Sequence, residues 1–406
     1  MKKRGVILST IVQKYGGTSM GSIEKIKSVA KKVILEKEKG NDVVVVVSAM
    51  GKTTNKLVDL AKEIDLNPDK REFDVLLSTG EQISISLLAI AIQSLGYDAI
   101  SFTGYQAGIR TKGIHSKSEI ESIDIDRIKE NLEQGKIVIV AGFQGINESG
   151  DITTLGRGGS DTTAVALAAS LGCNCIIYTD VEGIYPIDPN LYPNAKKIDY
   201  IGYKEMIEMS RLGASVMEST SVEIGYRKSV PIYVTSSVND TKGTYITETN
   251  DNLNCKDITG VAIDENTSIL NVKNILSKSN DMSLIFEILS KENLEIKMIN
   301  QVASDEGHIN LFFVLNKDDL GSIDEAMKKI KIKLNHVEVY QKSDISTISV
   351  VCKNINYDII NKIFNIFKEN NIDFKQVFTS ELSMSFIVDN KYRQRFIELL
   401  GVEFDL

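Results

Sequence analysis

The sequence predicts an α/β protein in which a mostly parallel sheet covered by helices is followed by two smaller modules of strands and helices. Three observations carry this. Apolar strand-like runs alternate with helical patterns over the first 240 residues, an order that calls for crossover helices between parallel strands. The character of the chain then changes between Asp240 and Asp257, where Asn, Asp, Thr and Lys gather, and all five prolines lie at or before Pro231. Beyond that point shorter elements recur twice in one order, with a period of roughly 65 residues.

The first strand is expected over Val6 to Gln13. Its basic start, Met1-Lys2-Lys3-Arg4, superficially resembles a secretion signal, but the apolar run is too short and no cleavage site follows. A helix over Ser22 to Lys39 leads to a strand over Val43 to Ser48, whose five successive valines suit burial on both faces and a central place in the sheet. A helix over Glu72 to Leu95 and a strand over Ile137 to Ala141 come next. Strands Cys175 to Thr179 and Ile232 to Thr235 flank a helix-rich stretch from Gly202 to Lys228. After a linker at 241–260, the first module (261–342) reads as strand Ser268 to Val272, helix Met282 to Glu292, strands Leu294 to Ile299 and Ile309 to Leu315, and helix Ile323 to Lys331. The second (343–406) repeats it with strand Thr347 to Cys352, helix Tyr357 to Asn370, strands Ile372 to Phe378 and Met384 to Val388, and helix Lys391 to Leu400. Each βαββα cycle reads as a ferredoxin-like module.

A chain of 406 residues exceeds what one hydrophobic core organises, so function can be divided between domains. A formal charge of −8 argues against nucleic acid or an anionic membrane as the main partner, and no 18-residue apolar run is apparent, so a cytoplasmic protein is expected. Cys173, Cys175, Cys255 and Cys352 form no CxxC pair, and the three histidines, His115, His308 and His336, lie beside no nucleophile motif. Structural zinc, a disulfide framework and triad hydrolysis are therefore disfavoured.

Two glycine-rich turns carry the chemistry. Lys14-Tyr15-Gly16-Gly17-Thr18-Ser19 stands between a strand and a helix, where glycines let backbone N–H groups approach a phosphate and lysine adds charge; alone, such a pair also makes an ordinary tight turn. Leu155-Gly156-Arg157-Gly158-Gly159-Ser160-Asp161 precedes a small-residue helix. There Arg157 can hold a carboxylate bidentately, and Ser160 and Asp161 can cap the helix. Together the turns point to a phosphate at one and a second anion at the other. The segment Val46 to Thr53 ends in Gly-Lys-Thr but lacks the first P-loop glycine, so it offers hydroxyls from Ser48, Thr53 and Thr54 rather than a phosphate wrap.

With KYGGTS, VVVSAMGKTTN, STGEQIS, FTGYQAGI, VAGFQG, TLGRGGSDTTA and YTDVEGIYPIDP in this order, and the paired tail behind them, the chain resembles aspartokinases over essentially its whole length. The resemblance implies a three-layer α/β/α sandwich of the amino-acid kinase fold over 1–240 and tandem ACT domains after the linker. It implies transfer of phosphate from ATP, with Mg²⁺ held largely by phosphates and water and no dedicated protein metal site, to the side-chain carboxylate of L-aspartate. Lys14 would neutralise the transferring phosphoryl group, Gly16, Gly17 and Thr18 would line the phosphates, and Asp161 would organise the lysine. Ser48, Thr54, Glu81, Arg157 and Ser160 would hold aspartate, Glu81 at its ammonium and Arg157 at a carboxylate. Thr179, Asp180, Tyr185 and Asp188 would hold the nucleotide. In the tail, Asp281, Met298, Asn300, Gln301, Thr379, Ser380 and Glu381 would face an effector such as lysine or threonine, and side-by-side ACT packing implies a homodimer.

Three stretches depart from the family pattern. Asp188-Pro189-Asn190 stands where DPR is usual, and Gly213-Ala214-Ser215-Val216-Met217-Glu218 where GAKVLHP is usual, so Asn190 and Ser215 replace two nucleotide-side cations. One lost transition-state donor costs about 3 kcal/mol. Lys196, Lys197, Lys204 and Arg211 stand nearby in sequence as compensating charges. The tail also lacks the proline-glycine turn before each ACT helix, reading Ser277-Lys278-Ser279-Asn280-Asp281 and Lys353-Asn354-Ile355-Asn356 instead. Two other readings therefore stand beside aspartate phosphorylation: a kinase of another amino acid or analogue, and a non-catalytic amino-acid sensor.

Overall fold

The computed structural model describes residues 9–214, 216–248, 257–277, 279–304 and 307–406. They form two compact units: 9–185, 196–211 and 216–248 make the first, and 186–195, 212–214 and the described residues from 257 onward make the second.

In the first unit β1 (Thr10–Tyr15) crosses by α1 (Ile23–Glu38) to β2 (Asp42–Val47), and α2 (Thr53–Ile64) and the long α3 (Lys70–Ser94) lead to β3 (Ala99–Phe102). A hairpin of β4 (Ile109–Lys112) and β5 (Glu119–Ile123) precedes α4 (Asp126–Glu133) and β6 (Ile137–Ala141). Short strands β7 (Gln144–Ile146) and β8 (Ile152–Thr154) run into α5 (Gly159–Leu171) and β9 (Asn174–Thr179). The unit ends with β10 (Tyr200–Gly202), α6 (Tyr203–Arg211), α7 (Ser219–Lys228), β11 (Ile232–Ser236) and β12 (Thr244–Thr247). Among the described residues the main sheet runs β10-β12-β11-β9-β1-β2-β6-β3, parallel except between β11 and β12, and β5-β4-β7-β8 form a smaller sheet.

Burial explains the layering. Val43, Val45 and Val47 pack under α1 and α3 with Ile26, Val29, Val33, Ile85 and Leu88, while Val44 and Val46 face the other way and are equally buried. Each such valine contributes about 1.5–3 kcal/mol. The second face is covered by α5, in which every residue from Thr162 to Ala168 is buried. β1 has β2 on one flank and β9 on the other, so crossovers leave it in opposite directions and a crevice opens at its carboxyl end.

Several expectations change. Val6 to Leu8 lie outside the described residues, and β1 continues through Lys14 and Tyr15, which pair with Val46 and Val47 of β2. Lys14 is thus a strand residue, held rigidly, rather than part of the turn. Thr244–Thr247, placed in the linker, pairs with β10 and β11 as β12 and extends the sheet; residues 249–256 lie outside the described residues. By length and composition α3 is long and apolar enough, over a window of 18 residues, to cross a membrane. Half of that window is buried within the fold, and the helix carries buried Asp74, Ser78 and Glu81, so it serves here as a core helix.

The second unit runs β13 (Ile258–Leu276), α8 (Asp281–Lys291), β14 (Ile296–Ala303), β15 (His308–Leu315), α9 (Leu320–Lys333), β16 (Glu338–Cys352), α10 (Tyr357–Glu369), β17 (Phe374–Thr379), β18 (Ser383–Asp389) and α11 (Asn390–Glu403). Among the described residues its sheet has the order β14-β15-β13-β16-β18-β17. The two βαββα repeats share its middle strands. Residues 267–273 of β13 pair with 338–345 of β16, and 258–264 pair with 347–352. The division placed at 342/343 therefore falls inside β16, and each repeat borrows a strand segment from the other's end of the chain. Among the described residues one core gathers around Leu270, Phe313 and Ile323, another around Ile348, Phe386 and Phe396, and a smaller cluster joins Ile269, Phe312, Val314, Ile345 and Ile387. Ile187 and Tyr192 belong to the second core, which ties the 186–195 segment to this unit.

Candidate active site

The site grows from the carboxyl end of β1. Side chains alternate along a strand, so Lys14 points opposite to Tyr15, toward α5, and its Nζ lies 2.7 Å from Asp161 Oδ1. Both side chains are nearly buried, which confines the lysine to one direction. The α5 N-cap is Gly158, in the left-handed region and without a side-chain cap bond, so the capping roles open to Ser160 and Asp161 are not used. Asp161 spends its carboxylate on Lys14 instead, and Ser160 packs so closely on Gly142 that a Cβ there would lie 2.7 Å from Ser160 Oγ.

Gly17 is required by space rather than by φ, whereas Gly16 has room for a Cβ. A Cβ on Gly17 would sit 2.8 Å from the Ala49 carbonyl oxygen, and one on Gly16 would meet Lys14 Nζ at 3.5 Å. The turn lies flat against the loop after β2: Gly51 N donates to Gly17 O at 2.9 Å and Ser48 N to Tyr15 O at 3.1 Å. Thr18 is exposed, its carbonyl held by Lys25 Nζ at 2.8 Å. Ser48 and Thr54 are both half-buried, Thr54 in the first turn of α2.

Glu81 is a buried residue of α3. It sits in the middle of α3, 2 % exposed, with Oε1 accepting from Ala49 N at 3.0 Å and Oε2 buried without a partner among the described residues. Burial pushes its carboxyl up to about 7, against the pull of the Ala49 N–H. A buried carboxylate with one oxygen unclaimed is a receptor for a small cation. Arg157 is the opposite case: held between Gly156 and Gly158, both at positive φ, it is exposed and has no ion-pair partner among the described residues. The loop thus offers a free guanidinium to an anion.

At the end of β9, beside β1, Thr179 Oγ1 donates to Asp180 Oδ1 at 3.0 Å, and Asp180 is exposed. Tyr178 stacks on Tyr15 with ring centroids 4.5 Å apart, locking the two strands side by side. Tyr185 closes this segment of the first unit, half-exposed. Asp188 belongs to the second unit, where Oδ1 accepts from Asn190 N and Nδ2, both at 2.9 Å. Ser215 lies outside the described residues. Of the charges near these segments, Arg211 pairs with Glu223 at 2.8 Å and Lys197 donates to the Lys242 carbonyl, so neither is free to replace a lost cation.

Sequence reasoning passes over Glu218, although the altered Ser215 to Glu218 segment draws attention to itself. The Glu218 side chain lies on the Gly158 turn: a Cβ on Gly158 would be 2.3 Å from Glu218 Cβ and 3.1 Å from Oε2. Burial and then the Asp161 charge raise its carboxyl, and Arg157 opposes them. The signal available in sequence was a gained carboxylate, where only the lost lysine was counted.

The residues expected to face an effector separate into distinct places. Asp281 Oδ2 accepts from His336 Nε2 at 2.9 Å and from Leu276 N at 3.3 Å, while Asp281 N donates to Ser279 Oγ. Lys278 lies outside the described residues. Asn300 Nδ2 donates to Gln376 Oε1 at 3.1 Å, joining the two outer strands β14 and β17, and Met298 packs against the cluster of Ile269, Phe312, Val314, Ile345 and Ile387. Gln301 is exposed. Ser380 organises the β17–β18 turn with Thr379 before it and exposed Glu381 after it.

The profile of the amino acid kinase family matches residues 9–236. The chain is 43% identical over 402 residues to "Aspartokinase" of Bacillus sp. (strain MGA3), covering 98% of each chain. Among solved structures, E. coli aspartokinase III in complex with aspartate and ADP superposes with a TM-score of 0.77 at 22% identity, covering 98% of this chain and 100% of that one. The same E. coli enzyme in complex with lysine and aspartate gives a TM-score of 0.77 at 22% identity over 97% and 99%. At that identity the two structures speak to the fold.

Proposed function

The chain belongs to the amino acid kinase family, as an aspartokinase, and from that premise we propose how its residues divide the transfer of phosphate from ATP to L-aspartate. The enzyme converts aspartate and ATP to 4-phospho-L-aspartate and ADP. The observation that carries the division of labour is the contrast between Glu81, a buried carboxylate with an unclaimed oxygen, and Arg157, an exposed cation with no ion-pair partner among the described residues. They are complementary to the ammonium and a carboxylate of one amino acid. Ser48, Thr54 and Ser160 supply hydroxyls around it.

The side-chain carboxylate of aspartate is already ionised at neutral pH, so its oxygen attacks the γ-phosphorus without a general base. One P–O bond forms as the bond to the ADP oxygen breaks. The protein's task is charge compensation and alignment. Lys14, aimed by Asp161, offsets the charge on the transferring group, and Gly16, Gly17 and Thr18 line the phosphates with backbone donors. Thr179, Asp180 and Tyr185 hold the nucleotide. Mg²⁺ would be held largely by the phosphates of the nucleotide and by water, with exposed Asp180 as the carboxylate of the nucleotide segment that would meet its hydration shell.

We further propose that 1–240 with β12 is the catalytic domain and that the two βαββα repeats are ACT domains through which a homodimer forms in the cytoplasm. An amino acid, lysine or threonine, is the proposed effector, at Asp281, Met298, Asn300, Gln301, Thr379, Ser380 and Glu381. Lysine bound to E. coli aspartokinase III supports this.

The test is trapping of the acyl phosphate with hydroxylamine in the presence of ATP, Mg²⁺ and L-aspartate. Aspartate-dependent hydroxamate that vanishes in Asp161→Ala supports the assignment. Hydroxamate retained in that variant would remove Asp161 from it.

A further inference from the structure

Asp74 lies on α3, about two helical turns before Glu81 and on the same face, and is fully buried. Among the described residues five donors converge on it. Oδ1 accepts from Thr154 Oγ1 at 2.7 Å and Ser116 Oγ at 3.0 Å; Oδ2 accepts from Thr154 N at 3.0 Å, Ser116 N at 2.9 Å and His115 Nδ1 at 3.0 Å. A buried carboxylate demands such satisfaction, and the demand fixes whatever supplies it.

What it fixes are two segments that have no reason of their own to be rigid. Ser116 has φ 66°, a conformation few non-glycine residues hold without support. Thr154 ends β8, a strand of three residues, three positions before Arg157. The two segments also touch beyond Asp74: Ser118 N donates to Thr154 O at 3.0 Å, and a Cβ on Gly156 would meet Ser116 O at 3.4 Å. Arg157 makes no side-chain hydrogen bond or ion pair among the described residues, so its direction follows the turn after Thr154, on which Glu218 also lies.

We infer that Asp74 is the positioning residue for Arg157: through Thr154 and the His115–Ser116 loop it sets the turn that aims the guanidinium. Because Glu81 stands on the same helix, α3 then holds the ammonium receptor and the carboxylate clamp in one register. This deepens the reading of Arg157 as the clamp for aspartate and rests on it.

The experiment measures aspartate and ATP kinetics by hydroxamate formation for Asp74→Asn, Thr154→Val, Arg157→Ala and the Asp74→Asn/Arg157→Ala pair in the full chain. Misplacement on the ångström scale can cost up to about a hundredfold, so Asp74→Asn is expected to raise KM for aspartate about tenfold or more. KM for ATP should stay within about twofold, and in the Arg157→Ala background the same change should have no further effect on aspartate. Thr154→Val, which removes one donor and keeps the shape, should reproduce part of the effect if Asp74→Asn does not fold. Additive effects in the pair, or equal losses toward both substrates, overturn the inference. An Arg157→Ala variant with unchanged KM for aspartate overturns instead the clamp reading on which it rests.

Discussion

Lys14 Nζ stands 2.7 Å from Asp161 Oδ1, joining the penultimate residue of β1 to the first turn of α5. Each partner is nearly buried, so neither can be removed without leaving the other's charge poorly solvated. Breaking such a pair from one side costs more than deleting it whole. Lys14→Met and Asp161→Asn are each expected to lower kcat by about 10²–10³. The double variant should be no slower than the worse single one, because the two act as a unit. In urea unfolding, the double variant should be more stable than either single. Multiplicative losses in kcat would separate the two roles.

Glu81 gives a prediction in pH. Its carboxyl is pushed up to about 7 by burial, and only the anion attracts an ammonium. In the free enzyme the receptor is therefore lost as pH falls through about 7, so KM for aspartate should climb from pH 8 to pH 6, approaching tenfold per unit at the acid end. Glu81→Gln should raise KM at pH 8 and flatten the profile. The stability sign is opposite. With a folded pKa above the unfolded value of about 4.5, the folded state binds the proton more readily, and stability falls as pH rises from about 4.5 to 7, by on the order of 3 kcal/mol. Glu81→Gln should remove that slope, which urea midpoints at pH 5 and pH 8 would register.

What could be read in the sequence follows the range of the interactions. The valines of β2 announce a strand buried on both faces by themselves, and the turns at Gly16-Gly17 and Gly158-Gly159 are local signals. The first half of β13 is hidden, because Ile258 to Asp264 follows a polar tract and pairs with β16 more than 80 residues later. β12 is four residues long and has meaning only beside β10 and β11. Within the site, Lys14, Glu81 and Arg157 sit in recognisable motifs. Asp74 and Glu218 do not, since their partners Thr154 and Gly158 lie far along the chain and only folding brings them together.

Glu218 puts a negative charge where the site must gather anions. It lies against Gly158 and feels both Asp161 and Arg157, so in its ionised form it weakens the positive potential offered to aspartate and triphosphate. The group is only half-buried, and solvent screens it. Glu218→Gln should lower KM for both substrates by about two- to fivefold, the scale of roughly 1 kcal/mol from one screened charge several ångströms away. The gain should shrink in 0.5 M salt. A KM for aspartate that rises in Glu218→Gln would instead show that the carboxylate supports Arg157.

Asp281, proposed above as an effector contact, is held by His336. Burial works against ionisation of Asp281, yet hydrogen bonds from Ser279 and His336 outweigh it and hold the carboxyl below its ordinary range. Stability from this group is therefore present above the unfolded value of about 3.8 and is lost as pH falls below it. At neutral pH Asp281 is an anion at the start of α8, with one oxygen on His336 and Leu276 N. An amino-acid effector would bring its ammonium to the same carboxylate, in competition with His336. Asp281→Asn should therefore raise the half-maximal effector concentration by about tenfold or more, a charge-assisted bond lost, and leave KM for aspartate without effector unchanged. His336→Ala should act the other way, freeing Asp281 and lowering that concentration. Titration of hydroxamate formation with lysine and with threonine reads both. An effector response unaltered in Asp281→Asn would move the effector site away from the start of α8.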